Sequence, residues 1–113
     1  MNRIRVFTIC AAFAALPCLA PAAGDAAKGK KIFEEGNGGS PPCSACHNAD
    51  SEEKKMGPGL KNLFKHDQLA NGKKPTEANV RAKLDEGGNG MPAYKDLLSD
   101  AERDDVIAYL KTL

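Results

Sequence analysis

Five consecutive residues constrain this chain more than any others: Cys43-Ser44-Ala45-Cys46-His47. Two cysteines separated by two residues, with a histidine directly after, have the spacing of a covalent c-type haem attachment site. The chemistry sets that spacing. Each thiol can add to one vinyl group of the same porphyrin, forming two thioether bonds, and the next residue then lies under the iron with an imidazole nitrogen to donate. A Cys-x-x-Cys pair has other uses, as a redox dithiol or as half of a zinc site. The remainder of the chain has to favour one of these.

The start of the chain reads as an export leader. Arg3 and Arg5 make it basic, and residues 6–15 are apolar apart from Thr8, too short a run to span a bilayer. Pro17 breaks the run, and Ala20-Pro21-Ala22 presents small residues of the kind a signal peptidase reads. Residues 1–23 are therefore expected to be a secretory signal peptide cleaved near Ala22 or Ala23, leaving residues 24–113 as one periplasmic domain. A retained membrane anchor is the alternative, disfavoured by length. Lipid attachment at Cys18 would need a small residue before it, and Pro17 stands there instead.

Cys10 and Cys18 would leave with the leader, so the mature chain keeps only the two cysteines of the motif. No structural disulfide is then possible. A secreted domain of about 90 residues is small enough to need a staple, and a covalently held haem would supply it. The whole chain carries a formal net charge of +1. Nothing global points to nucleic acid, and the interspersed lysines and acids read as a mixed, solvated surface.

The mature chain reads as helices joined by glycine-rich loops. Asp25 is placed to cap a helix over residues 26–35, with Gly36 as its stop. Residues 36–42 are a loop that delivers the chain to Cys43. Residues 48–55 are polar and should be an exposed loop. Leu60, Leu63 and Phe64 stand at i, i+3 and i+4, the spacing of a short helix with one buried face. Thr76 is a candidate N-cap for a helix carrying Val80 and Leu84, and Gly87-Gly88 ends it. Ser99 and Glu102 have capping-box spacing ahead of a last helix with Val106, Ile107, Tyr109 and Leu110 on its apolar face. No alternating strand pattern, internal repeat or second domain is evident.

A haem iron bound by His47 has a second axial position, for which the sequence offers Met56, His66 and Met91. Met56 follows His47 too closely to reach round the porphyrin. His66 lies in a polar stretch and reads as a surface residue or a neighbour of a propionate. Met91 is far enough downstream for intervening helical segments to wrap the cofactor, and it sits in a glycine-rich loop. Its soft thioether suits low-spin haem iron, and a Met/His pair raises the reduction potential. Met91 is the expected ligand, although a lone methionine in another context would read as core filler.

Cys43-Ser44-Ala45-Cys46-His47, Gly57-Pro58-Gly59-Leu60 and Gly90-Met91-Pro92-Ala93-Tyr94, in that order and spacing, resemble the small single-haem class I cytochromes c. The resemblance covers residues 25–113. It implies an all-α cytochrome c fold, with three to five helices wrapped around one covalently attached haem and the N- and C-terminal helices crossing. It implies that Gly29, Phe33 and Tyr109 form the crossed-helix contact. It also implies that the Pro58 carbonyl accepts a hydrogen bond from the second nitrogen of His47, which would fix the imidazole tautomer and its basicity. The chain departs from the family in lacking tryptophan, in having Gly90 rather than lysine before Met91, and in offering only His66 or Lys65 as partners for the propionates.

With Cys43, Cys46, His47, Pro58 and Met91 as haem-binding residues, and His47 and Met91 as metal ligands, the reading is an electron carrier rather than an enzyme. It would exchange one electron at a time with protein redox partners as a monomer, with Tyr94 and the loop around Met91 bordering an exposed haem edge. A haem subunit that works only inside a larger oxidase or dehydrogenase is the alternative, and no extra docking patch or anchor favours it. An enzyme or gas sensor with an open sixth site is disfavoured by Met91. A dithiol oxidoreductase is disfavoured by His47, and a zinc module by the lack of a second ligand pair.

Overall fold

Three α-helices and three single turns of 3₁₀ helix make up the computed structural model, which describes residues 24–113. The expected leader, residues 1–23, lies outside the described residues. Helix α1 spans Ala26–Glu35, α2 Glu77–Glu86 and α3 Asp100–Leu110; the 3₁₀ turns are Cys43–Ala45, Leu63–Lys65 and Tyr94–Asp96. No β-strand occurs among the described residues, only isolated bridges at Asn37–Ser40 and Gly88–Met91.

Each helix begins where a side chain satisfies its unpaired N–H groups. The Asp25 carboxylate accepts from the Ala27 and Lys28 N–H groups, at 2.9 and 3.2 Å. Thr76 Oγ1 accepts from the Asn79 N–H at 3.1 Å. Ser99 and Glu102 form the reciprocal capping box that their spacing predicts. Both α1 and α2 stop at a glycine, Gly36 and Gly87, each with positive φ.

Helix α1 packs across α3 with almost no room between the backbones. A Cβ on Gly29 would lie 1.9 Å from the Asp105 carbonyl oxygen, so only glycine permits this approach. One turn on, the Phe33 and Tyr109 rings meet edge to face with centroids 5.4 Å apart. The Asp25 N–H donates to the Asp105 carboxylate at 2.7 Å, which ties the first residues of the domain to the last helix. Gly29, Phe33 and Tyr109 thus make the helix contact that the resemblance implied.

The expected helix around Leu60, Leu63 and Phe64 is reduced to the single turn Leu63–Lys65. Asn62 has φ +58, in the left-handed region, which an α-helix cannot pass through. The backbone bonds that a helix would use are spent on the preceding loop instead: Leu60 N–H donates to Asn48 C=O at 2.8 Å and Lys61 N–H to Ser51 C=O at 3.4 Å. Leu60 is buried by this route, whereas Leu63 and Phe64 are only half-buried.

Candidate functional site

Helix α2 and the loops on either side of it stand off from the crossed α1–α3 pair on one face. They leave a cavity of about 690 Å³ whose walls include Phe33, Leu60, Val80, Leu84, Val106 and Leu110. That volume falls within the range of about 300–1,000 Å³ found for small-molecule and cofactor sites. Cys43, Cys46 and His47 line the same cavity, and so does Met91. Buried apolar walls with two thiols, one imidazole and one thioether are the donor set and the surroundings that a covalent haem requires.

The His47 side is built on a glycine-proline strap. Gly57 N–H donates to Cys46 C=O at 2.7 Å, laying residues 57–59 against the attachment turn. A Cβ on Gly57 would come within 2.5 Å of His47 Cε1, so the strap touches the face of the ring. His47 Nδ1 lies 2.8 Å from the Pro58 carbonyl oxygen. A carbonyl only accepts, so this bond places the proton on Nδ1 and leaves Nε2 with a free lone pair for a metal.

The Met91 side is a two-residue hairpin. Gly88 N–H donates to Met91 C=O at 2.9 Å and Met91 N–H returns a bond to Gly88 C=O at 3.1 Å. Asn89 and Gly90 between them have φ +53 and +89, the paired positive values of a type I′ turn, for which Asn-Gly is a favoured sequence. The turn is seated closely on α2, since a Cβ on Gly87 would lie 2.3 Å from Met91 C=O. Met91 is therefore presented by a backbone with little freedom. Met56 also borders the cavity, but its side chain is 79% exposed.

The family model for cytochrome c matches residues 26–113. The chain belongs to the cytochrome c family. Its cofactor is a covalently attached haem c, and it is an electron carrier rather than an enzyme. Cytochrome c6 of Synechocystis sp. is 37% identical to it over 107 residues, covering 85% of this chain and 81% of that protein. Cytochrome c6 of Leptolyngbya boryana is 37% identical over 86 residues, covering 76% of this chain and 89% of that protein.

The environment of the cysteines in this cytochrome argues against dithiol chemistry. Burial pushes the Cys43 thiol above its ordinary pKa, only partly offset by the Tyr94 hydroxyl beside it. A working dithiol needs the reverse, a thiolate stabilised by its surroundings. Among the described residues no group of three or more His, Cys, Asp and Glu side chains could hold a zinc ion.

Two placements differ from the sequence reading. His66 and Lys65 were candidates for the propionates, but neither lines the cavity. His66 turns to the surface, with Nε2 3.0 Å from Lys61 C=O and 3.1 Å from the Glu52 carboxylate. Besides Cys43, Cys46, His47 and Tyr94, the polar residues that line the cavity are Lys54, Asn71, Lys83 and Asn89. Tyr94, expected to border an exposed haem edge, lines the cavity but is itself only 3% exposed. Its ring packs in the core and its hydroxyl donates to Pro41 C=O at 3.0 Å, a partner 53 residues away that periodicity could not reveal.

A charged lattice that the sequence reading passed over joins α2 to α3. Arg81 reaches Asp85 at 3.0 Å, Asp100 at 2.8 Å, and Asp104. Arg103 is buried and pairs with Asp85 and Asp100. Burial opposes the charge on Asp85, but hydrogen bonds from Arg103 and Arg81 outweigh it and hold the carboxyl below its usual range. The local spacings were available as a signal, Arg81–Asp85 at i,i+4 and Asp100–Arg103 at i,i+3. The lattice fixes α2, whose C-terminal end carries the Met91 turn.

Proposed function

We propose that this cytochrome is an exported, periplasmic one-electron carrier whose haem is held by thioether bonds to Cys43 and Cys46, with His47 and Met91 as axial ligands. When bound, the haem supplies a one-electron Fe(III)/Fe(II) couple. The chain's own residues do the rest. Cys43 and Cys46 anchor the cofactor. Pro58 orients His47 and favours the Nδ1–H tautomer, so Nε2 is the coordinating atom. The Asn89-Gly90 turn presents the Met91 thioether. Phe33, Leu60, Val80, Leu84 and Val106 exclude water, which limits the rearrangement that accompanies a change of charge.

The observation that carries this reading is the 2.8 Å contact between His47 Nδ1 and the Pro58 carbonyl beside a cavity that Met91 also lines. With His47 and Met91 both holding the iron, no position on it would be left for a substrate. Residues 1–23 act in this reading as a leader removed near Ala22 or Ala23. The cytochrome c6 relatives are matched over 81% and 89% of their own lengths, which supports a free-standing carrier over a module of a larger enzyme. No helix among the described residues is long and apolar enough to cross a membrane. Redox proteins are its partners in this account.

The test is to export the full chain with its haem-attachment machinery, then record its intact mass and a spectroelectrochemical titration. A mass equal to residues 23–113 or 24–113 plus one haem, with a reversible one-electron transition, is the expected result. A chain that keeps its first residues, or that is not reversibly reduced in isolation, would refute it.

A further inference from the structure

We infer that the Tyr94 hydroxyl is a latch: by donating to the Pro41 carbonyl it fastens the Met91 turn to the segment bearing Cys43, and so keeps Met91 in place on the iron against competing ligands. The inference rests on the His47/Met91 reading above.

The placement of the bond supports this role. Tyr94 follows Met91 by three residues and opens the 3₁₀ turn Tyr94–Asp96. Its own carbonyl accepts from the Leu97 and Leu98 N–H groups at 3.0 and 2.8 Å, so its backbone is fixed at the exit of the methionine loop. Pro41 precedes Cys43 by two residues. Pro41 and Pro42 both lack an N–H, so this segment has little with which to hold itself to the rest of the protein. Apart from the contact of the same Tyr94 hydroxyl with the Cys43 sulfur, no other hydrogen bond among the described residues joins residues 87–98 to residues 36–47. The hydroxyl is buried, so breaking the bond leaves a polar group and a carbonyl without water to replace it.

Displacing Met91 requires its loop to move away from the attachment segment. A latch between the two lowers the population of that opened state and thereby weakens any external ligand that must displace the methionine. Tyr94 is a positioning residue in this account, since it acts through Met91 and the loop that carries it.

Tyr94→Phe tests the idea, because it removes the hydroxyl and keeps the ring. The measurement is imidazole affinity of the exported ferric holoprotein, alongside its denaturation midpoint. One buried hydrogen bond shifts such an equilibrium by roughly two- to tenfold, so imidazole should bind tighter by about that factor. Ile32→Val serves as the control. Ile32 is buried in α1 away from the cavity, and its truncation costs a similar amount of global stability. The latch predicts a lower midpoint in both variants but tighter imidazole binding only in Tyr94→Phe. Equal gains in both variants, or no gain in Tyr94→Phe, overturn it. Met91→Ala is measured in parallel. Imidazole affinity that fails to rise there overturns the ligation reading and the latch with it. A rise there without one in Tyr94→Phe overturns the latch alone.

Discussion

The crossing of α1 and α3 gives a prediction whose sign is set by two opposed effects. Replacing Gly29 by alanine removes a mid-helix glycine, which by propensity alone should stabilise the protein by about 1 kcal/mol. The new Cβ would sit 1.9 Å from the Asp105 carbonyl oxygen and 3.0 Å from Tyr109 Cβ. The Asp105 carbonyl carbon would lie 2.5 Å from the new Cβ, and non-bonded carbons settle near 3.5–4.0 Å, so the two backbones must part by roughly 1–1.5 Å. Backbone cannot swing aside as a long side chain would. Overpacking of this kind costs about 1–3 kcal/mol. The separation also loosens the Phe33–Tyr109 pair, 5.4 Å between centroids, in an arrangement worth about 0.5–1.5 kcal/mol beyond its burial. The net expectation is a loss of about 2 kcal/mol. Urea denaturation of the haem-loaded protein, followed by circular dichroism, measures it. Gly39→Ala is the matched control, because nothing lies within 4 Å of its Cβ position and its φ is not in the left-handed region. If Gly29→Ala proved as stable as the parent, the close-approach argument would be wrong.

Three further outcomes follow from the site and its supports. Gly57→Ala should lower the yield of haem-loaded protein and shift its reduction potential, because the methyl group would press on the His47 ring; an unchanged potential would show that the strap does not set the ring's position. Gly90→Ala meets no neighbour but must hold φ +89, so it should cost about 1–2 kcal/mol, read as easier displacement of Met91 by imidazole, with unaltered ligand affinity as the contrary result. The Asp85 carboxyl has a folded pKa below its unfolded one, so its stabilising effect is complete above about pH 5 and is lost as pH falls through about 4 toward the folded value. Asp85→Asn should therefore be less stable than the parent at pH 7, with the gap narrowing near pH 3; parallel stability curves across that range would contradict the pairing.

Much of this architecture is readable in the chain because the informative contacts are local or carry a sequence signature. Asp25, Thr76 and Ser99 cap helices through bonds two or three residues long, and Asn89-Gly90 specifies its own turn. Cys43, Cys46 and His47 are contiguous. What escaped the reading is non-local. Leu60, Leu63 and Phe64 have helical spacing, but Asn62 in the left-handed region and the bonds that Leu60 and Lys61 donate to the carbonyls of residues 48 and 51 pull that backbone out of a helix. Tyr94 looked like a loop aromatic until its hydroxyl was seen to bond Pro41. Arg81 and Arg103 have visible partners within their own helices, yet the lattice exists only because α2 and α3 pack side by side. Lys54 and Lys83 replace His66 and Lys65 at the cavity for the same reason, since which lysine faces inward depends on how the segments after His47 and Pro75 fold back.

The central proposal is that His47 and Met91 would both hold the iron, in a carrier with no open coordination position. The measurement that reaches it most directly is the midpoint potential and absorption spectrum of exported Met91→Ala beside the parent protein. Loss of the thioether should lower the potential and alter the ferric spectrum, while the haem stays covalently attached through Cys43 and Cys46. A variant with the parent's potential and spectrum would contradict the account.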